Sequence, residues 1–166
     1  KRAYKLKTAI GFGPYAFNVS ENGANTDSKV APAFMIYAKY DLDKKNSLRA
    51  FDALIYKDAL FNNSGVYYAN DVAKVADNKI TITTLLGFQG MSFQFDKDSK
   101  RFDQFIFPQG LEVVYKNAFG MENFTFVYGM FLSPSDSVKY NNIWIRWGTK
   151  YFWEINYIDW GVDDKY

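Results

Sequence analysis

The chain has 166 residues, which predicts one domain over 1–166, and its 20 basic and 18 acidic side chains give a formal net charge of +2. That balance gives no electrostatic basis for nucleic acid binding. The sequence has no cysteine and no histidine. This excludes disulfides, thiolate or imidazole metal ligands and histidine-based catalysis, and we expect no cofactor, no metal and no enzymatic activity.

Strand-like segments follow one another along the chain. Aromatic residues make up 20% of it, and β-branched and aromatic residues dominate segments that turn residues separate, which is typical of strands. Most segments are long enough to cross a membrane, which takes about 9–11 residues in a tilted strand. The eight predicted strands are 4–19, 30–41, 47–57, 79–95, 102–117, 123–132, 140–147 and 151–160.

The connections predict longer loops at one end of the sheet and turns at the other. The longer ones are 20–29 and 58–78, and a short helix is expected at 70–76 within the second. The stretches DLDKKN and DKDSKR indicate compact, solvated turns. This arrangement favours an up-and-down antiparallel barrel. Since loops on a rigid scaffold usually carry specificity, 20–29 and 58–78 are the candidate partner-binding segments.

The last two segments contain IWIRWGTKYFWEINYIDW and predict a hairpin with aromatic residues on both faces. A three-residue turn pairs odd positions with odd positions, and Gly148 can take the positive φ that such turns need. A two-residue turn would pair odd with even positions. With the first register, Trp144, Arg146, Phe152 and Glu154 share one face. The opposite, apolar face comprises Ile143, Ile145, Trp147, Tyr151, Trp153, Ile155 and Tyr157.

Mid-strand charges recur opposite apolar stripes. Phe124, Phe126 and Tyr128 form such a stripe. Most soluble cores do not accept inward charges, whereas the lumen of a membrane barrel is polar. We therefore expect the stripe and the apolar face of the hairpin to contact lipid or the membrane interface. The predicted interior charge network comprises Arg146, Glu154, Glu112, Arg49, Asp52 and Lys39, with Arg146 and Glu154 as the best pair.

In these features the chain resembles the small eight-stranded outer-membrane β-barrels of Gram-negative bacteria, the OmpA/OmpX-like size class. The resemblance covers nearly the whole chain and lies in long alternating segments, Tyr and Trp near segment ends, and charges on the opposite face. It implies an all-β, transmembrane barrel in outer-membrane lipid, with an interior too narrow for a general porin. It also implies a non-enzymatic role in envelope integrity, adhesion or partner binding through loops.

Two features depart from that pattern. From residue 158 onward, the even positions carry the apolar and aromatic residues expected at a barrel terminus that ends at Tyr166, and only Asp164 departs from this pattern. A bulge near 157–158 would reconcile them with the odd outward positions of the hairpin. Pro14 and Pro108 lie inside predicted strands, and a closed barrel has no edge to receive them, so we expect kinks or strand ends there.

Two alternatives remain open at this point. A soluble, lipocalin-like barrel, periplasmic or secreted, would use the same length and strand number to carry a small apolar ligand. Its mid-strand charges would have to face water, and the chain lacks the Gly-x-Trp start of that family. An enzyme that uses carboxylates is the other alternative, and no specific motif supports it.

Overall fold

The computed structural model describes residues 6–21, 24–57, 59–94, 101–122, 124–132 and 138–162. They form a closed, mostly antiparallel β-barrel with nine strand positions around its circumference. The strands are β1 Leu6–Glu21, β2 Ala24–Asp41, β3 Asn46–Lys57, β4 Ala59–Val75, β5 Ile80–Gln94, β6 Arg101–Ile106, β7 Gln109–Lys116, β8 Thr125–Leu132, β9 Val138–Gly148 and β10 Tyr151–Val162. The all-β, up-and-down fold is as predicted, but the expected number of eight strands is wrong.

Strands β6 and β7 occupy one position in the barrel. Both pair with β5 in a continuous register, with Ile106 opposite Gln89 and Gln109 opposite Leu86. Pro108 lies in the gap between them, because proline has no N–H to give to a ladder. The predicted strand 102–117 is therefore confirmed, with the interruption that its proline led us to expect.

The barrel closes through a parallel pair. An odd number of strands in up-and-down order brings the first and last strands together in the same direction, and β1 pairs with β10 from Ile10–Tyr151 onward. Gly13 and Pro14 interrupt this ladder and have no paired residue in it. A Cβ at position 13 would lie 1.6 Å from the backbone oxygen of Glu154, so the seam requires glycine there. Bacterial single-chain barrels have even strand numbers, so this closure differs from that of the OmpA/OmpX-like class.

The additional strand is β4. Residues 58–78 were expected to form a loop with a helix at 70–76, and this is wrong, because 59–75 is a strand paired with both β3 and β5. The pairing with β5 shifts register between Asp71 and Ala73, so a bulge lies where the helix was predicted. Small polar residues on both faces of this strand obscure the apolar alternation that marks the other strands.

The described residues of the first predicted loop are also strand. Strand β1 continues to Glu21 and β2 begins at Ala24, so most of 20–29 lies in two paired strands. Pro14 faces outward within β1, opposite Pro32 of β2. Both candidate partner-binding segments therefore belong largely to the barrel wall.

The last hairpin has the predicted three-residue turn. Trp147 pairs with Trp153 and Gly148 with Phe152, which places odd residues opposite odd residues. Gly148 has a φ of +124°, the positive value expected of it. The even residues face the interior, where Trp144 and Phe152 are buried.

The predicted parity change near 157–158 does not occur. The pairing of β9 with β10 continues without a register shift to Val162. Ile158 and Trp160 are each 1% exposed and lie in the interior. They do not form an outward apolar terminus, and Tyr166 lies outside the described residues.

Candidate functional site in the barrel interior

The inner face of the barrel carries many polar side chains, because inward positions alternate along every strand with outward apolar ones. A few of these polar residues are charged, and most of the others are amides or hydroxyls. The buried polar and charged residues are Ser47, Arg49, Asn63, Thr81, Thr83, Gln89, Glu112, Asn142, Glu154 and Asn156.

Among the described residues, two arginine–glutamate pairs lie inside the barrel. Arg49 of β3 and Glu112 of β7 meet across the lumen, with Nη1 at 2.5 Å from Oε1. Arg146 of β9 lies directly opposite Glu154 of β10, and its Nε and Nη2 donate to Oε1 over 3.0 and 2.8 Å. The Tyr15 hydroxyl donates to the other oxygen of Glu154 over 3.4 Å. These contacts compensate charges that the barrel largely removes from water.

Five of the six charged residues predicted to lie inside the barrel face inward, and one does not. Arg49, Glu112, Arg146 and Glu154 face inward as predicted, and Arg146 and Glu154 form the predicted pair. Lys39 also faces inward, near the end of the barrel where β1 begins, and its Nζ lies 3.5 Å from Asp41. We call the end of the barrel where β1 begins the N-terminal end.

Asp52 is not part of that network. It lies on the outer face of β3, opposite Ile36 and Ser64, and accepts a hydrogen bond of 2.7 Å from Asn62. Its assignment to the interior is wrong, because Arg49 and Asp52 are three residues apart and residues at odd separations on a strand face opposite sides.

An amide and phenol network was not predicted. Gln89 donates to Asn63 over 2.6 Å and to Tyr140 over 2.7 Å, and accepts from Tyr67 over 2.8 Å. Asn142 also donates to Tyr140, over 3.0 Å. The sequence shows these amides at inward positions of strands rich in aromatic residues. Predicting the network, however, requires knowing which strands face one another across the barrel.

Aromatic side chains fill the middle of the lumen. Tyr67 stacks on Phe51 with ring centroids 5.6 Å apart and on Phe131 at 4.8 Å. Trp144 packs against Phe131 at 4.9 Å. An enclosed cavity of about 40 Å³ remains beside the ion pairs, which has room for little more than water.

A larger cavity, the vestibule, occupies the N-terminal end of the barrel. It has a volume of about 560 Å³, and Arg49, Glu112, Arg146 and Phe152 are shared between it and the enclosed cavity beyond. Its cationic lining residues are Lys7, Lys39, Arg49, Lys116, Arg146 and Lys150, and its acidic ones are Asp71 and Glu112.

The outer wall is apolar over most of its area. Trp153 is 58% and Ile155 49% exposed. The residues predicted to contact lipid that lie in strands face outward; contact with lipid itself stays a prediction. Phe124 precedes β8 and is half-buried. The outward residues are Ile143, Ile145, Trp147, Tyr151, Trp153, Ile155, Tyr157, Phe126 and Tyr128.

Comparisons of the chain with protein-family models, with curated proteins and with solved structures found no match. In the part of the chain that the structure describes, no helix has the length and apolar character to cross a membrane. Nor do three or more acidic side chains come together there in a way that could hold a metal ion.

Proposed function

We propose that the protein is a membrane-spanning β-barrel with a filled interior and a non-enzymatic structural role. The observation that carries the proposal is the combination of buried charges inside the wall with large exposed apolar residues outside it. Arg49, Glu112 and Glu154 are 6%, 4% and 3% exposed inside the barrel, whereas Trp153 and Ile155 are 58% and 49% exposed outside it. A lipid environment favours this distribution of charged and apolar side chains.

The backbone supports the same proposal. A chain in hydrocarbon must satisfy its N–H and C=O groups internally, and a closed barrel does so because no strand edge remains. Here β1 pairs with β10 and β4 pairs with β5, which closes the ring. The argument rests on closure and wall polarity, and does not require the eight strands of the OmpA/OmpX-like class.

The filled lumen supports a structural role over transport. Tyr67, Phe131 and Trp144 occupy its middle, and an ion-pair layer lies between them and the vestibule. Among the described residues, the space next to that layer is only about 40 Å³. We therefore expect no steady ion conductance from the protein in a planar bilayer.

The soluble carrier receives less support. It needs an apolar cavity for its ligand and a wall that water solvates. The enclosed cavity is too small for such a ligand, and the vestibule has a strongly cationic lining. Exposed apolar residues on the outer wall would form a patch well beyond the usual size for a soluble monomer.

Refolding with and without a non-ionic detergent or lipid vesicles tests the proposal. We expect a folded, monodisperse protein only with detergent or lipid, with gel mobility that changes on heating. A monodisperse, folded monomer at high concentration in buffer alone would overturn the proposal.

A matched pair of variants makes this test specific to the wall. Ile155→Arg places a charge in the outer wall and is expected to lower the free energy of unfolding in lipid by about 2–4 kcal/mol. Leu42→Arg, in the exposed turn between β2 and β3, is the control and is expected to change it little. Equal, small effects would indicate that water surrounds both positions.

A further inference from the structure

The vestibule has the size of a ligand site. Its volume of about 560 Å³ falls within the roughly 300–1,000 Å³ of small-molecule pockets. The hydroxyl-bearing residues Thr81, Thr83 and Thr125 contribute to its wall. Thr83 already donates to Asp71 over 2.8 Å, so that carboxylate has a partner within the protein.

Positive charge exceeds negative charge in the vestibule. Of the described lining residues, six are cations and two are acids. The four cations that have carboxylate partners are Lys7 and Lys39 with Asp41, Arg49 with Glu112, and Arg146 with Glu154. The other two, Lys116 and Lys150, have no carboxylate partner among the described residues.

The two lysines lie at the rim of the vestibule, on neighbouring parts of the N-terminal end. Lys116 ends β7, and Lys150 is in the β9–β10 turn with its Nζ 6.0 Å from the ring centroid of Tyr151. Deeper in the vestibule, Arg49 has an Nε for which the described residues supply no acceptor. Uncompensated cations thus lie at the rim, and an incompletely satisfied guanidinium lies deeper.

We propose that the vestibule is a binding site for a small anion that carries phosphate or carboxylate groups. An anion gains attraction from the two unpaired lysines without displacing a carboxylate from an existing pair. The hydroxyls of Thr81 and Thr125 can donate hydrogen bonds to its oxygens. A cation would meet excess positive charge, and a neutral apolar ligand would leave the charges unused.

Calorimetric titration of the protein in non-ionic detergent tests the proposal, with inorganic pyrophosphate and citrate as separate probes. We expect saturable binding of at least one probe, and the difference between the two identifies the preferred anionic group. Binding should weaken as salt rises, since the Debye length falls to about 10 Å near 0.1 M. Absence of saturable binding by both probes would overturn the proposal.

A matched pair of double variants separates the site from general surface charge. Lys116→Gln with Lys150→Gln is expected to weaken binding at least about fivefold, because it removes the two unpaired cations. Lys44→Gln with Lys79→Gln removes the same charge from turns at the same end that do not line the vestibule. It should leave the affinity unchanged. Equal weakening by both double variants would overturn the site, whether or not the membrane proposal holds.

Discussion

The two faces of the barrel wall hold different side chains: the inner face buries ion pairs within an aromatic and aliphatic core, and the outer face exposes large apolar residues. The inner face buries Arg49, Glu112 and Glu154, and the outer face exposes Trp153 and Ile155. Because side chains alternate along a strand, one sequence pattern produces both faces. The pattern alone does not say which face lies inside the barrel, and the structure places the ion pairs there.

The strongest test of the inner face is to leave one of its charges without a partner. Arg49→Ala is expected to lower the free energy of unfolding by about 3–5 kcal/mol, because Glu112 would remain buried and uncompensated. Denaturant unfolding of the protein in lipid, followed by tryptophan fluorescence, measures this loss. The double variant Arg49→Met with Glu112→Leu should be more stable than Arg49→Ala, since it removes both charges.

The second ion pair provides a comparison within the same face. Arg146→Ala is expected to cost less than Arg49→Ala, because Glu154 keeps hydrogen bonds from Tyr15 at 3.4 Å and from Asn156 at 3.3 Å. The Arg146 side chain is also 18% exposed, against 7% for Arg49. If neither single variant changes the unfolding midpoint, the two pairs do not stabilise the barrel.

The parallel seam is the next test, because it joins the two faces where the ring closes. Gly13→Ala is expected to destabilise the barrel by about 1–3 kcal/mol through overpacking, since its Cβ would collide with the backbone of Glu154. Gly90→Ala is the control, because its nearest neighbour is a ring atom of Phe105 at 3.1 Å that can move. Equal unfolding midpoints for the two variants would contradict the close approach at the seam.

The sequence predicted the parts of the wall where the two faces differ in polarity. Between Ile143 and Tyr157 the odd strand residues of β9 and β10 are apolar, and the position of Gly148 fixes a turn length, so the register followed from local pattern. In β4, Asn62, Asn63 and Ser64 are polar on both faces, and only pairing with β3 and β5 makes this segment a strand. Missing that strand also concealed the odd strand number and the parallel seam.

The interior site could be predicted only in part for the same reason. Arg146 and Glu154 belong to one hairpin, and their pairing follows from its register. Arg49 and Glu112 lie on strands that are not adjacent, and their contact depends on the closure of the whole barrel. Asp52 was assigned inward together with Arg49, although residues three apart on one strand face opposite sides.

Asp52 tests the outer face, where it is a charged exception among apolar neighbours such as Leu54 and Ile36. In lipid, Asp52→Leu is expected to stabilise the barrel by about 1 kcal/mol, because an outward acid in the membrane is unfavourable. In water the same change should be neutral or destabilising, because it removes the hydrogen bond from Asn62. Unfolding in vesicles measures the sign, and a loss of stability there would argue against lipid at this position.

The smallest expected effect lies outside the wall, in the turn between β2 and β3. The side chain of Asn46 and the backbone N–H groups of Lys45 and Asn46 donate to Asp43, and these hydrogen bonds lower the pKa of its carboxyl. A carboxyl whose pKa is lower when folded contributes stability above its unfolded pKa of about 3.9 and loses it as the pH falls through the folded value.

Asp43→Ala should therefore be slightly less stable than the parent at neutral pH, and the difference should vanish in acid. Thermal unfolding of the two proteins across that pH range measures the difference. Because Asp43 is in an exposed turn, this result should be the same whether lipid or water surrounds the wall. A difference that persists at low pH would show that the turn depends on the size of the side chain and not on its charge.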